Sequence, residues 1–300
     1  MYVESPLIES RFFPSKNRVF LKLENTQPSG SFKSRGLTAL ISHHFNQNPN
    51  CRFYTSSAGN AGLAVSEAAC SVGAENFVVV PASTSSTVIE KLKKFGSNVI
   101  LEGANWGEAD LKCKELLAAD PLGVYCHPFN DPLVWDGHST MVTEIKTQLK
   151  GVKPAAVVLS VGGGGLYIGV MMGLIKNDWP DVPVYAIETT GASCFHQSLA
   201  AKRVIVTDPP TSISKSLGST WVPQEAIDHA LQYSTKSLLL TDESAIGGAK
   251  FLASYHNFIV EPACGVSIAA VIEGHLEQVD GPVVVIVCGG SSFNANDVAN

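Results

Sequence analysis

The sequence predicts an α/β protein made of two open, twisted, largely parallel sheets with helices on both faces. Three observations lead there. Short β-branched runs alternate with helical stretches from end to end. The helical stretches carry 3.6-residue apolar periodicity and stop where helices should. The 300 residues are enough for one large or two modest α/β domains.

Taken in order, strands are predicted at 19–24, 52–55, 77–81, 99–102, 156–161, 184–188 and 283–287. Helices fill the intervals, as in residues 62–70, which run Gly-Leu-Ala-Val-Ser-Glu-Ala-Ala-Cys and stop near Gly73. This alternation means parallel strands joined by crossover helices. Between His127 and Trp135, residues Pro128, Asn130, Asp131 and Pro132 break the pattern, which marks a boundary. The expected organisation is two lobes with a cleft between them: a large domain over 1–31 and 135–300, and a small domain, 32–134, inserted in it.

Composition excludes several classes of function. Net charge is −6, from 21 basic and 27 acidic residues. The basic residues are scattered or in short groups such as Lys91, Lys93 and Lys94, so nucleic acid is not an expected partner. No apolar run approaches the roughly 18 residues of a bilayer span, because 282–287 is followed at once by Cys288-Gly289-Gly290. No membrane partner is expected. Met1-Tyr2-Val3-Glu4-Ser5-Pro6 has neither secretory nor transit character, which predicts a cytoplasmic location. Seven cysteines without a C-x-x-C spacing predict reduced thiols rather than disulfides or a zinc site.

Four loops carry chemistry. The first, Pro28-Ser29-Gly30-Ser31-Phe32-Lys33, leaves a strand and opens a helix at the lysine. The positive helix end and burial against Phe32 both push Lys33 toward a neutral, nucleophilic amine. The second, Ser56-Ser57-Ala58-Gly59-Asn60-Ala61-Gly62, has small residues whose N–H groups suit a carboxylate, and the Asn60 amide can hold a ring oxygen. A plain capped βα loop is the competing reading.

The third loop, Gly162-Gly163-Gly164-Gly165, precedes a helix that starts at Leu166 and fits a close phosphate approach, with a tight structural turn as the competing reading. It is not a dinucleotide fingerprint, because Tyr167 takes the last glycine position, and no Gly-Lys-Ser/Thr follows. The fourth, Val287-Cys288-Gly289-Gly290-Ser291-Ser292, ends a buried strand on the side where open α/β sheets bind ligands. Cys288 either meets a heteroaromatic nitrogen or is an inert core thiol. No H-E-x-x-H or G-x-S-x-G occurs.

In this order and spacing, the four loops resemble the fold-type II pyridoxal-phosphate enzymes, of the tryptophan synthase β type. The match is best to the L-serine/L-threonine dehydratase branch. Further support comes from Pro128-Phe129-Asn130-Asp131-Pro132, Ile187-Glu188-Thr189, Lys215-Ser216-Leu217-Gly218 and Glu261-Pro262-Ala263-Cys264-Gly265. The resemblance implies a dehydratase that turns L-serine, and also L-threonine, into pyruvate or 2-oxobutanoate plus ammonia, as a homodimer.

It also implies roles. Lys33 holds pyridoxal 5′-phosphate as an imine and acts as the base, Phe32 packs on the ring, and Asn60 holds the ring oxygen. Gly162, Gly163, Gly164, Gly165 and Leu166 bind the phosphate. Ser57, Ala58, Gly59 and Asn60 grip the substrate carboxylate. Cys288 faces the ring nitrogen and, being a weak acid, leaves it unprotonated. A monovalent cation such as potassium is implied at Glu188, Ala192, Leu217 and Ser219. Ser216 and Asn130 depart from the alanine and aspartate usual in the branch. The rival activities are β-replacement of the cysteine synthase kind, serine racemisation, and non-catalytic binding of cofactor or amino acid.

Overall fold

Strands β1 (Leu7–Ser10) and β2 (Val19–Leu23) pair antiparallel in the computed structural model, which describes residues 1–290. Strand β2 is buried throughout, as the inner strand of a sheet must be. Helix α1 (Lys33–Gln47) leads to β3 (Arg52–Thr55) and α2 (Asn60–Val72), which stops on left-handed Gly73. Then come β4 (Asn76–Val80), α3 (Ser86–Lys94), β5 (Asn98–Leu101), α4 (Trp106–Ala119), β6 (Gly123–Tyr125) and α5 (Pro132–Gln148). The chain continues through β7 (Ala156–Ser160), α6 (Gly165–Lys176), β8 (Val184–Thr189), α7 (Cys194–Ala200) and α8 (Gln224–Gln232). It ends with β9 (Thr235–Leu240), α9 (Asp242–His256), α10 (Pro262–Ile272) and β10 (Val283–Val287).

Two units result: Met1–Val3 with Gln27–Gly137, and Glu4–Thr26 with His138–Asn300. The first holds a four-stranded parallel sheet ordered β5-β4-β3-β6. Strand alternation distributes its core to both faces. Phe53 packs with Leu37, Ile41 and Ala64 of α1 and α2, while Tyr54 and Val79 pack with Ala109 and Cys113 of α4. The second holds a six-stranded sheet ordered β1-β2-β10-β7-β8-β9, parallel except at β1. Its inner strands β2, β10, β7 and β8 are buried along their whole length. Helices α9 and α10 cross with almost no space between their backbones: a β-carbon on Gly265 would lie 2.1 Å from the Ala245 carbonyl oxygen.

Three strands lie outside the expected set. Strands β1 and β9 are sheet edges that are only partly buried, and β6 has three residues, so none carries a run of core β-branched side chains. The units divide at 26/27 and 137/138, against the expected 31/32 and 134/135, and also at 3/4, where no division is expected. The division at 137/138 falls inside helix α5, because that helix's first turn packs on α1. A β-carbon on Gly137 would lie 2.6 Å from the Arg35 carbonyl oxygen. Among the described residues, no helix is long and apolar enough to cross a membrane.

Candidate active site

In the first unit, Lys33 is the opening residue of α1, with Phe32 at the N-cap. Its Nζ donates to the Pro128 carbonyl at 2.8 Å and lies 5.1 Å from the centre of the Phe32 ring. Both side chains are half-buried. The amine therefore sits at the positive end of a helix, on a hydrogen-bond acceptor and beside an aromatic face.

The Ser57–Asn60 loop turns into α2, whose N-cap is Gly59 and whose first residue is Asn60, 8% exposed. Gly59 N–H donates to Ser57 Oγ at 3.3 Å. The loop folds back so tightly that a β-carbon on Gly62 would lie 1.8 Å from the Ser57 carbonyl oxygen. Ser56 anchors it from below, donating to Asp110 Oδ1 at 2.7 Å, where Tyr125 also donates at 2.6 Å. Burial raises the Asp110 carboxyl, but hydrogen bonds from Lys114, Tyr125 and Ser56 outweigh it and hold the group below its ordinary range. His127 is pushed down to about 4 by burial and then by the nearby Lys33 charge.

In the second unit, the four glycines join β7 to α6. Gly164 is the N-cap at φ +82°, a left-handed conformation. A β-carbon on Gly162 would lie 2.8 Å from the Ser216 carbonyl oxygen and 3.1 Å from Leu217 Cα. The first turn of α6, from Gly165 and Leu166, presents N–H groups that have no acceptor within the helix. Such a bare, left-handed loop at a helix start is a cradle for an anion.

Cys288 follows β10 and is 6% exposed; its Sγ lies 3.6 Å from Ser160 Oγ at the same end of the parallel neighbour β7. Burial, with Cys288 alongside, pushes the neighbouring Cys264 thiol well above its usual value. Ser291 and Ser292 lie outside the described residues.

Glu188, near the end of β8, is fully buried and accepts the N–H groups of Phe195 at 3.0 Å and His196 at 2.7 Å, in the first turn of α7. Burial pushes its carboxyl up to about 8 against those two bonds. Ala192 bridges back to Thr189. The Leu217 carbonyl accepts Ser219 N–H at 2.7 Å, and the Ser219 hydroxyl donates to the Trp221 carbonyl at 2.6 Å. The Cys194 thiol, pushed up to about 12 by burial and then by the Glu188 charge, also feels the Ser219 hydroxyl. Among the described residues, no three His, Cys, Asp or Glu side chains form a metal-binding group.

The expected residues thus fall into two sets. Lys33, Phe32 and the Ser57–Asn60 loop belong to the first unit; the glycine loop, Cys288 and the Glu188 group belong to the second. Pattern reading gave no individual role to His127, Pro128, Ser56, Asp110 or Ser160, although Ser56 opens the second loop and Pro128 belongs to the segment that supports the resemblance. For His127 the only signal is the broken periodicity of its segment.

Comparison with known proteins gives a consistent result. The family described as "Pyridoxal-phosphate dependent enzyme" matches residues 2–289. An L-serine dehydratase/L-threonine deaminase of Mus musculus is 39% identical over 98% of this chain and 93% of its own length. An L-serine dehydratase of Saccharomyces cerevisiae is 37% identical over 99% of this chain and 95% of its own. Among solved structures, a fungal L-serine ammonia-lyase from Rhizomucor miehei superposes with a TM-score of 0.94 at 34% identity, covering 99% of this chain and 97% of that one. The match spans all four loops and nearly the whole chain, so this chain belongs to the pyridoxal-phosphate dependent enzyme family.

Proposed function

We propose that the protein is a pyridoxal-phosphate dependent ammonia-lyase that converts L-serine to pyruvate and ammonia and L-threonine to 2-oxobutanoate and ammonia. The observation that carries this reading is Lys33, an amine at a helix start with a carbonyl acceptor, in a chain similar over 98% of its length to an L-serine dehydratase/L-threonine deaminase. The residues present fit the cofactor. The left-handed glycine cradle before α6 suits a phosphate, and a lysine is available for the covalent link. When bound, the cofactor supplies a carbonyl carbon that takes up an amine and an electron sink for the pair released at Cα.

The chain's own residues do the rest. Lys33 Nζ would hold the cofactor and, when released from it, would serve as the base for the Cα proton. Phe32 would line the ring, and the Asn60 amide would hold the ring oxygen. N–H groups of Ser57, Ala58, Gly59 and Asn60 bind the substrate carboxylate, and Asp110 keeps their loop in place through Ser56. Gly162 to Gly165 and Leu166 bind phosphate through backbone N–H groups. Cys288 would face the ring nitrogen and, because a thiol is a far weaker acid than a carboxylic acid, would leave that nitrogen unprotonated. We also propose a potassium-like cation at Glu188, Ala192, Leu217 and Ser219, because a buried carboxyl group, backbone carbonyls and a hydroxyl are hard oxygen donors. Seven free cysteines, six of them buried, fit a reducing compartment and hence a cytoplasmic location. A homodimer is proposed with it.

The experiment is borohydride reduction of the yellow protein and peptide mapping, combined with oxo-acid assays on L-serine and L-threonine. The expected result is cofactor fixed on Lys33, oxo acid from both substrates and little D-serine. Cofactor on another lysine rejects the site, and absence of oxo acid rejects the activity. Lys33→Ala is expected to fold, lose covalent cofactor and show no turnover.

A further inference from the structure

The peptide that carries Lys33's acceptor is itself held by one imidazole. His127 Nδ1 accepts the N–H of Phe129 at 3.3 Å and that of Asn130 at 2.9 Å. Two donors on one ring nitrogen require a lone pair there, so the ring is neutral with its proton on Nε2. The Phe129 N–H and the Pro128 carbonyl belong to the same trans peptide, so they point in opposite directions. Capture of the N–H by His127 therefore turns the carbonyl away from the imidazole, and that carbonyl is the one that accepts Lys33 Nζ at 2.8 Å. The next carbonyl, that of Phe129, is fixed by Trp135 Nε1 at 2.6 Å. The Phe129 ring meets the imidazole edge-on, with centres 4.6 Å apart and planes at 87°. The Tyr125 ring also meets it edge-on, with centres 6.0 Å apart, and the charges that face the ring are Lys33, Asp110, Lys114 and Asp131.

We propose that His127 is a positioning residue for Lys33: by accepting the Phe129 N–H it aims the Pro128 carbonyl at the lysine amine. The catalytic consequence rests on the reading of Lys33 as the cofactor lysine; the geometric claim does not. Whenever the amine is free, the carbonyl receives it and favours its protonated form, opposing the positive end of α1. Loss of the acceptor on residue 127 frees the peptide to rotate and takes that support away.

The test uses cofactor-free protein and compares His127→Leu with His127→Asn, whose side-chain oxygen can accept N–H groups two and three residues on. The reactivity of Lys33 toward acetic anhydride is followed against pH by peptide mass spectrometry. His127→Leu is expected to lower the apparent pKa of the Lys33 amine by roughly one unit, and His127→Asn to restore the parent value. A purely structural role would lower thermal stability without moving this titration. Independently, the nitrogen NMR spectrum of histidine-labelled parent protein, with His127 assigned through its contacts to Phe129, is expected to show Nδ1 unprotonated. An unmoved Lys33 titration in His127→Leu, a displaced one in His127→Asn, or a protonated Nδ1 in the parent overturns the proposal. If His127→Leu does not fold, the other two measurements still decide. Peptide mapping after borohydride tests the cofactor role of Lys33 separately.

Discussion

Single side chains near Lys33 work by fixing proton positions. His127 is ordinary in an unfolded chain, near 6.5, and stands at about 4 in the fold. The unfolded chain binds the extra proton first, so stability present above pH 6.5 is lost as pH falls toward 4, by up to about 3 kcal/mol. Acid titration of thermal stability is expected to show this loss in the parent and a flatter curve in His127→Asn. In the second unit, Cys288 is buried against Ser160. Cys288→Ser keeps a hydrogen-bonding group of similar size, so cofactor binding and much of the activity should survive. Cys288→Ala removes the partner at a cost of roughly 1–3 kcal/mol, and oxo-acid formation should fall further. Equal rates in both variants would reduce Cys288 to a core thiol.

Helix ends and helix crossings set the next scale. The glycine loop works because Gly164 takes a φ of +82° that other residues reach only with strain. Gly164→Ala is expected to cost about 1 kcal/mol of stability while weakening cofactor affinity at least tenfold; a cofactor titration of unchanged midpoint would move the phosphate elsewhere. The crossing of α9 and α10 is tighter still. Gly265→Ala would place a methyl 2.1 Å from the Ala245 carbonyl oxygen and 2.5 Å from Ala249 N, so the helices must separate. A loss of about 3 kcal/mol or more is expected in denaturant unfolding. Strands 19–24, 52–55, 77–81, 156–161, 184–188 and 283–287 are legible because they are inner strands with largely apolar runs, and the edge strand at 99–102 is legible from its Val-Ile-Leu run. Edge strands β1 and β9 and the short β6 are not, because their pairing is decided by neighbours distant in sequence.

Over the whole chain, the segment Glu4–Thr26 is a structural part of the second unit. Strand β2 inserts between β1 and β10, and its Lys22, fully buried, donates to Glu144 at 2.6 Å, to the Ser5 carbonyl at 2.7 Å and to Gln148 at 3.0 Å. Lys22→Met removes one partner and leaves a carboxylate that is only 14% exposed, an expected loss of about 3 kcal/mol by urea unfolding. A change under 1 kcal/mol would mean that Glu144 recovers full solvation. Sedimentation is expected to give twice the 31.8 kDa of one chain, with the single-chain mass ruling the homodimer out.

By itself the sequence determined the α/β class, the inner strands and the four loops, because those depend on local signals: β-branched runs, glycine runs and a lysine at a helix start. It also carried the family resemblance, since ordered motifs survive in one dimension. Only the tertiary structure decided that a unit boundary runs through helix α5, that Asp110 holds the Ser56 loop from a separate helix, and that His127 turns the Pro128 carbonyl onto Lys33. These depend on which peptide faces which side chain across 54 to 95 residues of chain, and periodicity read along a sequence carries no such information.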